Sequence, residues 1–332
     1  MSPVPPDADA APLTVVEQSG PDSLRRLVTV QPGMCGPGSL LIGRIGDWSW
    51  ETVSAVCGTD VLNARDCHGR PAYLSFYYYR LRTGSGDTSP LHPGDLRFGD
   101  RLEVDSRVFG FGGESALILH RLRRLAPGEP PHRDSLTAEE FYDRPQPGCL
   151  YAENFNHWIS RGRPDSNLGL IRSAPPDFTH DHLPVLPERY SPTTACRAAR
   201  RAGRFTEAVP HGSTPTNEEF TVDYPVDLTR DVNGVGLLYF ASYFSIADYG
   251  LLRLWRRLGR SDDSFLRRKL VDSRMCYLGN ADLDTHLRLR MHPWHGPPGD
   301  EEVVVDLTIE DTTRERTLAL GAFRLRVDNT GA

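Results

Sequence analysis

The segment SLLIGRIGDWSWETVSAVCG, residues 39–58, decides the fold of this chain. Its larger side chains recur at steps of three and four residues, which is the spacing of one face of an α-helix. Ser39 is a favoured helix cap and Gly58 a favoured stop, so the sequence predicts a helix of about five turns between them. The stripe that this helix would bury consists of Leu41, Ile45, Trp48, Thr52 and Val56.

Extended segments flank this helix on both sides. A short strand is predicted at residues 27–30, followed by a glycine-rich loop at residues 32–38. Beyond the helix, apolar runs predict strands at residues 72–82, 100–111 and 114–125. The first unit is therefore predicted to be one long helix with an antiparallel sheet.

The same order of elements returns after residue 219. A strand is predicted at residues 220–228 and a loop at residues 231–236. The next run, residues 237–258, is a strongly apolar helix with a basic last turn, followed by Gly259. Four further strands are predicted at residues 270–278, 284–291, 302–310 and 317–327.

A shift of 198 residues lays the second half over the first and places the glycines at 234 and 236 on those at 36 and 38. A long apolar helix wrapped by an antiparallel sheet is the hot-dog arrangement. We therefore predict an α+β protein with a tandem, or double, hot-dog fold. The predicted domains are a disordered tail at residues 1–26, an N-terminal hot-dog at 27–125, a Pro-rich connecting region at 126–219 and a C-terminal hot-dog at 220–332.

Composition excludes several classes of protein. The 332 residues are 39% hydrophobic and 25% charged, which is ordinary for a two-domain globular protein. The net charge is −6 and no long basic run is present, so nucleic acid is not an expected partner. The sequence has neither a signal peptide at its start nor an apolar run of 18 residues, so we expect no membrane association and a cytoplasmic location.

The six cysteines show no metal-binding spacing and no CxxC pair. We expect them to be reduced thiols and predict no metal site. Cys35, beside the first glycine pair, could be a nucleophile, but a small buried thiol is the more ordinary role.

The glycines before each central helix are candidates for binding an acyl thioester. Free backbone N–H groups at a glycine-rich helix start can stabilise the negative charge of an enolate or a tetrahedral oxyanion. Alternatively, the glycines only permit a tight turn and close helix packing. The candidates are Gly36, Gly38 and Ser39 in the first half and Asn233, Gly234 and Gly236 in the second.

Tyrosines crowd the strand AYLSFYYYRLR, residues 72–82. Because side chains alternate along a strand, Tyr73, Tyr77 and Tyr79 are predicted to share one face and Tyr78 to lie on the other. A phenol can donate a hydrogen bond to an oxyanion or act as a nucleophile, although packing with one hydrogen bond is its usual role in a strand.

Carboxylates offer a different chemistry. Asp47 and Asp248 are predicted to lie within the two central helices, where hot-dog thioesterases often carry a carboxylate, and Asp231 lies in the second glycine loop. Each could equally be a polar residue on the wetter face of its element.

Several long strings of this sequence resemble one family. They are PGMCGPGSLLIGRIGDWSWETVSA, ARDCHGRPAYLSFYYYRLR, YAENFNHW and the segment that runs from RDVNGVGLLYF to YLGNADLD. With these strings the chain is similar to the double hot-dog bifunctional acyltransferase/decarboxylases of leinamycin-type polyketide biosynthesis.

The resemblance implies an enzyme that uses methylmalonyl-CoA and a phosphopantetheinylated acyl carrier protein to make propionyl-S-acyl carrier protein. It implies a tyrosine as acyl acceptor, which the local string GRPAYLSFYYYRLR places at Tyr73, with Tyr77 and Tyr79 as neighbours. No metal or organic cofactor is expected, because decarboxylation of such a thioester needs only orientation and an oxyanion hole. We also expect a homodimer, because hot-dog units pair through sheet edges.

Two other functions remain open at this point. A hot-dog thioesterase or dehydratase would require a carboxylate or histidine directed at the thioester, such as Asp47, Asp231 or Asp248. A non-catalytic double hot-dog would only bind a carrier protein. A pocket lined by Tyr73 and neutral amides would favour acyl transfer.

Overall fold

The computed structural model describes residues 12–36, 38–85, 90–132, 134–209, 212–216, 219–295 and 302–326. Within them the first half of the chain contains β1 (Thr14–Gly20), β2 (Ser23–Thr29), α1 (Gly38–Cys57), β3 (Tyr73–Thr83), β4 (Arg101–Gly110), β5 (Ser115–Leu125), α2 (Ala138–Tyr142), β6 (Cys149–Arg161), β7 (Leu170–Arg172) and α3 (Pro192–Ala202). The second half contains β8 (Thr214–Pro215), β9 (Phe220–Pro225), α4 (Ser242–Arg257), α5 (Asp262–Leu266), β10 (Lys269–Tyr277), β11 (His286–His295), β12 (Glu302–Asp311) and β13 (Arg316–Arg326).

All of these strands join one antiparallel sheet, whose order is β1-β2-β4-β5-β6-β3-β10-β13-β12-β11-β8. β7 adds to β6, and β9 adds to β11. The two halves meet where β3 pairs with β10, from Arg82 opposite Asp272 to Tyr78 opposite Cys276. The β3 strand at the inner edge of the first half therefore pairs with the β10 strand at the inner edge of the second, and the sheet runs through both units.

One long helix lies against each half of the sheet. Ile45 and Trp48 of α1 are completely buried, as are Ile246 and Ala247 of α4. The α1 helix contacts β2, β4 and β6, and α4 contacts β9 and β11. The predicted tandem hot-dog fold, with a buried helix in each unit, is confirmed.

A buried polar cluster fixes α1 to the sheet. His120 of β5 is completely buried and its Nε2 lies 2.9 Å from Oγ of Ser49 in α1. The other ring nitrogen lies 2.8 Å from Oγ of Ser106, and Nδ2 of Asn154 donates to Nε2 at 3.1 Å. Because every polar atom of this imidazole has a partner, the cluster sets the position of α1 over β4, β5 and β6.

The predicted domain boundaries of the first unit are wrong at both ends. Residues 14–26 of the predicted tail form β1 and most of β2, which pair with each other and with β4; residues 1–11 lie outside the described part. Within the predicted connecting region, residues 149–161 form β6, which lies between β5 and β3 in the middle of the sheet. Both faces of β6 are covered, so its sequence shows no alternation that would reveal a half-buried strand.

The second central helix begins later than predicted, at Ser242 instead of residue 237. Side chains hold residues 231–241 as a loop: Oδ1 of Asn233 accepts from the N–H groups of Val235 and Leu237, and Asn280 bonds both backbone groups of Leu238. The first helix instead starts directly at Gly38. The two glycine pairs are therefore not structurally equivalent, although the order of elements in the two halves is.

Candidate functional site

A cavity of about 570 Å³ lies where the two hot-dog units meet. Beyond the pair Tyr78 and Cys276, β3 and β10 no longer bond to each other, and the loop of residues 233–240 enters the gap between them. The walls come from α1, β3, β6 and β7 of the first unit and from residues 233–243 and 277–280 of the second. Any ligand in this cavity would contact both halves of the chain.

Aromatic side chains form the inner wall. The rings of Phe76 and Phe240 are stacked with centroids 3.8 Å apart, and Trp50 of α1 contacts both edge-on. Nε1 of Trp50 donates to the carbonyl oxygen of Leu74 at 2.9 Å, on the part of β3 that lacks a β10 partner. The inner wall is thus apolar and fixed by hydrogen bonding and ring packing.

The tyrosines of β3 do not alternate as predicted. A bulge interrupts the pairing with β6 between Phe76 and Tyr78, so the strand gains one residue there. Tyr73 and Tyr77 line the cavity, but Tyr79 turns into the core beside Phe76 and Phe244 and is completely buried. The prediction that Tyr79 shares the face of Tyr73 is wrong because the bulge reverses the order of faces beyond Tyr77.

Tyr73 is held by an arginine from the neighbouring strand. Nη1 of Arg161 lies 3.5 Å from Oη of Tyr73, and its guanidinium carbon lies 5.7 Å from the ring centroid. The buried side chain of Asn167 accepts from Nε and Nη2 of Arg161 at 3.1 and 3.0 Å. The tyrosine on which the sequence resemblance centres therefore lies beside an oriented cation.

The second glycine loop, residues 231–236, also lies beside Arg161 and Tyr73. Asn233 and Gly234 line the cavity, whereas Gly236 does not, and its carbonyl oxygen accepts from Nδ2 of Asn167 at 2.8 Å. Nη2 of Arg161 donates to the carbonyl oxygen of Val235 at 2.5 Å. Arg161 and Asn167 thus connect this loop of the second unit to Tyr73 of the first.

The backbone N–H groups available to an oxyanion differ from those expected. Among the described residues, the N–H groups of Val235, Leu237 and Leu238 already bond side-chain oxygens. Gly234 and Phe240 line the cavity, and neither backbone N–H group has a partner in the described ranges. These two amides, and not a helix start at residue 237, are the donors that the loop can offer.

The first glycine cluster does not reach the cavity. Gly36 has a φ of 112°, a conformation that favours glycine, and Gly38 is the first residue of α1. Neither these two residues nor Ser39 is among the residues that line the cavity. The structure therefore separates the two sets of predicted binding residues, and the turn-forming role fits the first set.

His157 and Arg172 also line the cavity and were not expected from the sequence. Nη2 of Arg172 donates to Nε2 of His157 at 3.0 Å, so the imidazole carries its proton on Nδ1, which donates to Oγ of Ser115 at 2.7 Å. Burial, and secondarily the charge of Arg172, lowers the pKa of His157 to about 4. The ring packs 4.8 Å from that of Tyr77, so His157 is a neutral support for two cavity residues.

One carboxylate lies in the cavity wall. Asp47 of α1 is half-exposed; burial raises its pKa, and the ion pair with Arg44 opposes the shift. Asp231 lies elsewhere and is completely buried, accepting from Oη of Tyr224 at 2.7 Å. Asp248 is paired with Arg268 at 2.6 Å and does not line the cavity. Of the three predicted carboxylates, Asp47 alone could act on a ligand here.

The fold and this junctional cavity define the class of the protein: it is a double hot-dog protein. Residues 25–207 match the model of the LnmK N-terminal Hot Dog Fold domain. Since this match spans more than half of the chain, the protein belongs to that family. The match also extends through β6 and α3, in agreement with the first unit found in the structure. A search of curated proteins found no match.

Two solved structures share the fold over nearly the whole chain. The 12:0-ACP thioesterase from Umbellularia californica superposes with a TM-score of 0.55 at 11% identity, covering 93% of this chain and 95% of its own. A protein from Lactobacillus plantarum described as an oleoyl thioesterase gives a TM-score of 0.54 at 13% identity, covering 92% of this chain and 96% of its own. At such low identity the likeness concerns the fold alone.

Among the described residues, no helix has the length and apolar character needed to cross a membrane.

Proposed function

We propose that this protein is a bifunctional acyltransferase/decarboxylase that converts methylmalonyl-CoA to propionyl-S-acyl carrier protein in polyketide biosynthesis. The observation that carries the proposal is the position of Tyr73, which lines the junctional cavity beside Arg161. Membership of the hot-dog family supports a thioester substrate, and the apolar inner wall provides space for a short acyl group.

Acyl transfer proceeds in two balanced steps in this proposal. Oη of Tyr73 attacks the thioester carbonyl, the C–S bond breaks, and coenzyme A leaves as a thiol with the phenolic proton. The carrier protein's phosphopantetheine thiol then attacks the tyrosyl ester, forming a new thioester and returning the proton to the phenol. Arg161 stabilises the negative charge on the phenol oxygen during attack and departure.

Decarboxylation breaks the bond between the α-carbon and the carboxylate. Carbon dioxide leaves, the electron pair forms an enolate, and a proton from water completes the propionyl group. The amides of Gly234 and Phe240 can donate to the enolate oxygen. The atoms balance in the same way whether decarboxylation occurs before or after acyl transfer, and the step uses no metal or organic cofactor.

Intact-mass spectrometry of a carrier protein tests this function. The enzyme is incubated with methylmalonyl-CoA and a phosphopantetheinylated acyl carrier protein, and carbon dioxide release is followed in parallel without the carrier. We expect a propionyl adduct on the carrier. Release of free acid with an unmodified carrier would indicate hydrolysis, and an intact substrate in both reactions would indicate a non-catalytic binding protein.

Hydrolysis is the second candidate, and the position of Asp47 in the cavity wall favours it. A carboxylate there could activate water against the thioester, which is the reaction named for the two similar structures. The variant Asp47→Asn separates the two functions. It should abolish a thioesterase activity and leave transfer through Tyr73 largely intact.

A further inference from the structure

The mouth of the cavity carries an arginine that the proposed reaction does not use. Arg172 is exposed, lines the cavity and forms no ion pair within the described ranges. Its hydrogen bond to His157 occupies one of its N–H donors. Two other arginines lie nearby but do not line the cavity: Arg44 is paired with Asp47, and Arg161 is bound by Asn167 and Val235. Among the described residues, Arg172 is therefore the one arginine of the cavity lining, and it has donors left for a ligand.

The surroundings of Arg172 hold it in place. His157 is 7% exposed and Ser115 is 3% exposed, so the acceptor of Arg172 is fixed from beneath by a buried hydroxyl. His157 is neutral at physiological pH because its pKa is lowered to about 4 by burial and by Arg172, and it therefore does not repel the guanidinium. A cation held by a buried neutral imidazole at a cavity mouth is a preorganised site for an anion.

The sheet register sets the distance from Arg172 to Tyr73. Tyr73 pairs with Ile159, and Ile159 pairs with Arg172, so the three residues form one row across β3, β6 and β7. Paired residues of an antiparallel sheet present their side chains on one face, and two strand spacings amount to about 10 Å. A phosphopantetheine arm is about as long as four extended peptide residues, roughly 14 Å from sulfur to phosphorus. The arm can therefore reach from a thioester at Tyr73 to a phosphate at Arg172.

The substrate carboxylate is a poorer match for Arg172. A cation bound to that carboxylate would stabilise it in the ground state and oppose loss of carbon dioxide. Arg172 is also exposed and lies in the row of Ile159, whereas Phe76 of the apolar wall pairs with Asn156, three residues away along β6.

We propose that Arg172 binds the phosphate of the 4′-phosphopantetheine arm, the chemical group that coenzyme A and an acyl carrier protein have in common. This inference adds a binding residue to the proposed function and rests on it for the direction of the thioester. The same guanidinium would bind the phosphates of both arms in turn, since coenzyme A delivers the acyl group to Tyr73 and the carrier thiol then removes it.

Binding measurements without turnover test this site. Calorimetric titration compares 4′-phosphopantetheine with pantetheine, which lacks only the phosphate. In Arg172→Met we expect binding of 4′-phosphopantetheine to weaken about 10- to 100-fold, as for loss of a charged hydrogen bond, and binding of pantetheine to stay unchanged. Arg172→Lys should recover part of the loss. Arg257→Met, an exposed arginine of α4 outside the cavity, is the matched control.

The two sources of the phosphate are separated by repeating the titration with coenzyme A and with a phosphopantetheinylated carrier protein. If Arg172→Met binds coenzyme A and the carrier protein more weakly by a similar factor, one shared phosphate site is supported. If Arg172→Met weakens binding of coenzyme A alone, the proposal is wrong and Arg172 contacts a phosphate of the nucleotide part of coenzyme A. The proposal is also wrong if Arg172→Met weakens binding of pantetheine and of 4′-phosphopantetheine equally. Because no step requires catalysis, these outcomes hold whether or not methylmalonyl-CoA is decarboxylated.

Discussion

The guanidinium of Arg161 lies against the phenol of Tyr73, with Nη1 3.5 Å from Oη and the guanidinium carbon 5.7 Å from the ring centroid. The two residues come from neighbouring strands, and Asn167 and the carbonyl of Val235 hold the arginine from the other side. A fixed cation beside a phenol favours the charge that develops on its oxygen when it exchanges an acyl group.

Replacing Arg161 tests whether this contact acts in the reaction. Arg161→Gln should lower kcat for acyl transfer roughly 10²- to 10³-fold, because the positive charge beside the phenol is lost, with a smaller effect on KM. Arg161→Lys should recover part of kcat, since it keeps the charge without the planar fork. Steady-state kinetics and thermal unfolding are measured together, with exposed Arg163→Gln as control. Equal loss in both Arg161 variants, accompanied by a lower melting temperature, would show a purely structural role.

The contact between Gly46 and Phe240 should be sensitive to a single methyl group. A Cβ at Gly46 would lie 2.2 Å from Cζ of Phe240, whose ring is stacked on Phe76 in the cavity wall. We expect Gly46→Ala to lower the free energy of unfolding by about 1–3 kcal/mol despite the better helix propensity of alanine. Urea unfolding measures the change. Gly38→Ala, in the same helix with no atom within 4 Å of the new Cβ, should be neutral, and equal effects at both positions would refute the packing argument.

Stability should fall in acid because His120 is buried in its neutral form. Burial, and secondarily the charge of Arg26, lowers its pKa to about 3 from the usual 6.5. Between pH 6.5 and 3, His120 binds a proton in the unfolded chain but not in the folded chain. The contribution of His120 to the free energy of unfolding therefore declines as the pH falls through this window, by up to about 1.4 kcal/mol per pH unit.

Urea titrations of the wild type and His120→Gln at pH 7.5, 6 and 5 measure this contribution. The variant should be less stable at pH 7.5, because the bonds to Ser49 and Ser106 are altered, but its stability should decline less steeply toward pH 5. Parallel curves for the two proteins would show that His120 is not the group responsible.

The oligomeric state is still a prediction. The chain pairs its own inner edges through β3 and β10, but β1 forms an outer edge with Val15 and Val16 exposed. An edge strand of this kind favours association, so we expect a homodimer through β1. Light scattering at micromolar concentration should give twice the chain mass, and Val16→Lys should return the monomer mass. A monomeric wild type would refute the prediction.

The sequence was sufficient for the elements whose patterns are local. The stripe in α1 and the four strands from residue 269 onward are predicted within a few residues, because their apolar side chains recur at helical spacing or cluster in short extended runs. The β6 strand is not predicted, because its buried positions 153, 154, 156 and 157 carry polar side chains. The β12 strand is buried on both faces as well, but its apolar run at residues 303–305 reveals it. The signal that could have revealed β6 is the dense aromatic and asparagine content of residues 151–158.

Only part of the candidate site is predictable, because the rest depends on how distant strands pair. Tyr73, Asn233 and Gly234 do meet in one cavity, but a bulge at Tyr77 removed Tyr79, and bulges leave no clear trace in a single sequence. Arg161 and Arg172 gain their roles from cross-strand pairing with residues far away in the chain. Such pairing depends on register, which sequence patterns did not determine here.

Replacing Tyr73 by Phe tests whether Tyr73 accepts the acyl group. The measurement is the intact mass of a carrier protein after incubation with methylmalonyl-CoA and each of three variants. The ring of Phe preserves packing, so the fold should persist while carrier labelling is abolished. Tyr77→Phe, in the same cavity, should retain labelling. Tyr79→Phe should do the same, because the buried hydroxyl of Tyr79 has no hydrogen-bond partner in the described chain.

If Tyr73→Phe labels the carrier at about 10⁻² to 10⁻³ of the wild-type rate, the hydroxyl of Tyr73 is instead a hydrogen-bond donor to the oxyanion. If Tyr77→Phe fails to label the carrier while Tyr73→Phe labels it normally, Tyr77 is the acyl acceptor. We expect an unlabelled carrier with Tyr73→Phe and a propionyl-labelled carrier with the other two variants. Full labelling with all three would show that no tyrosine of β3 accepts the acyl group.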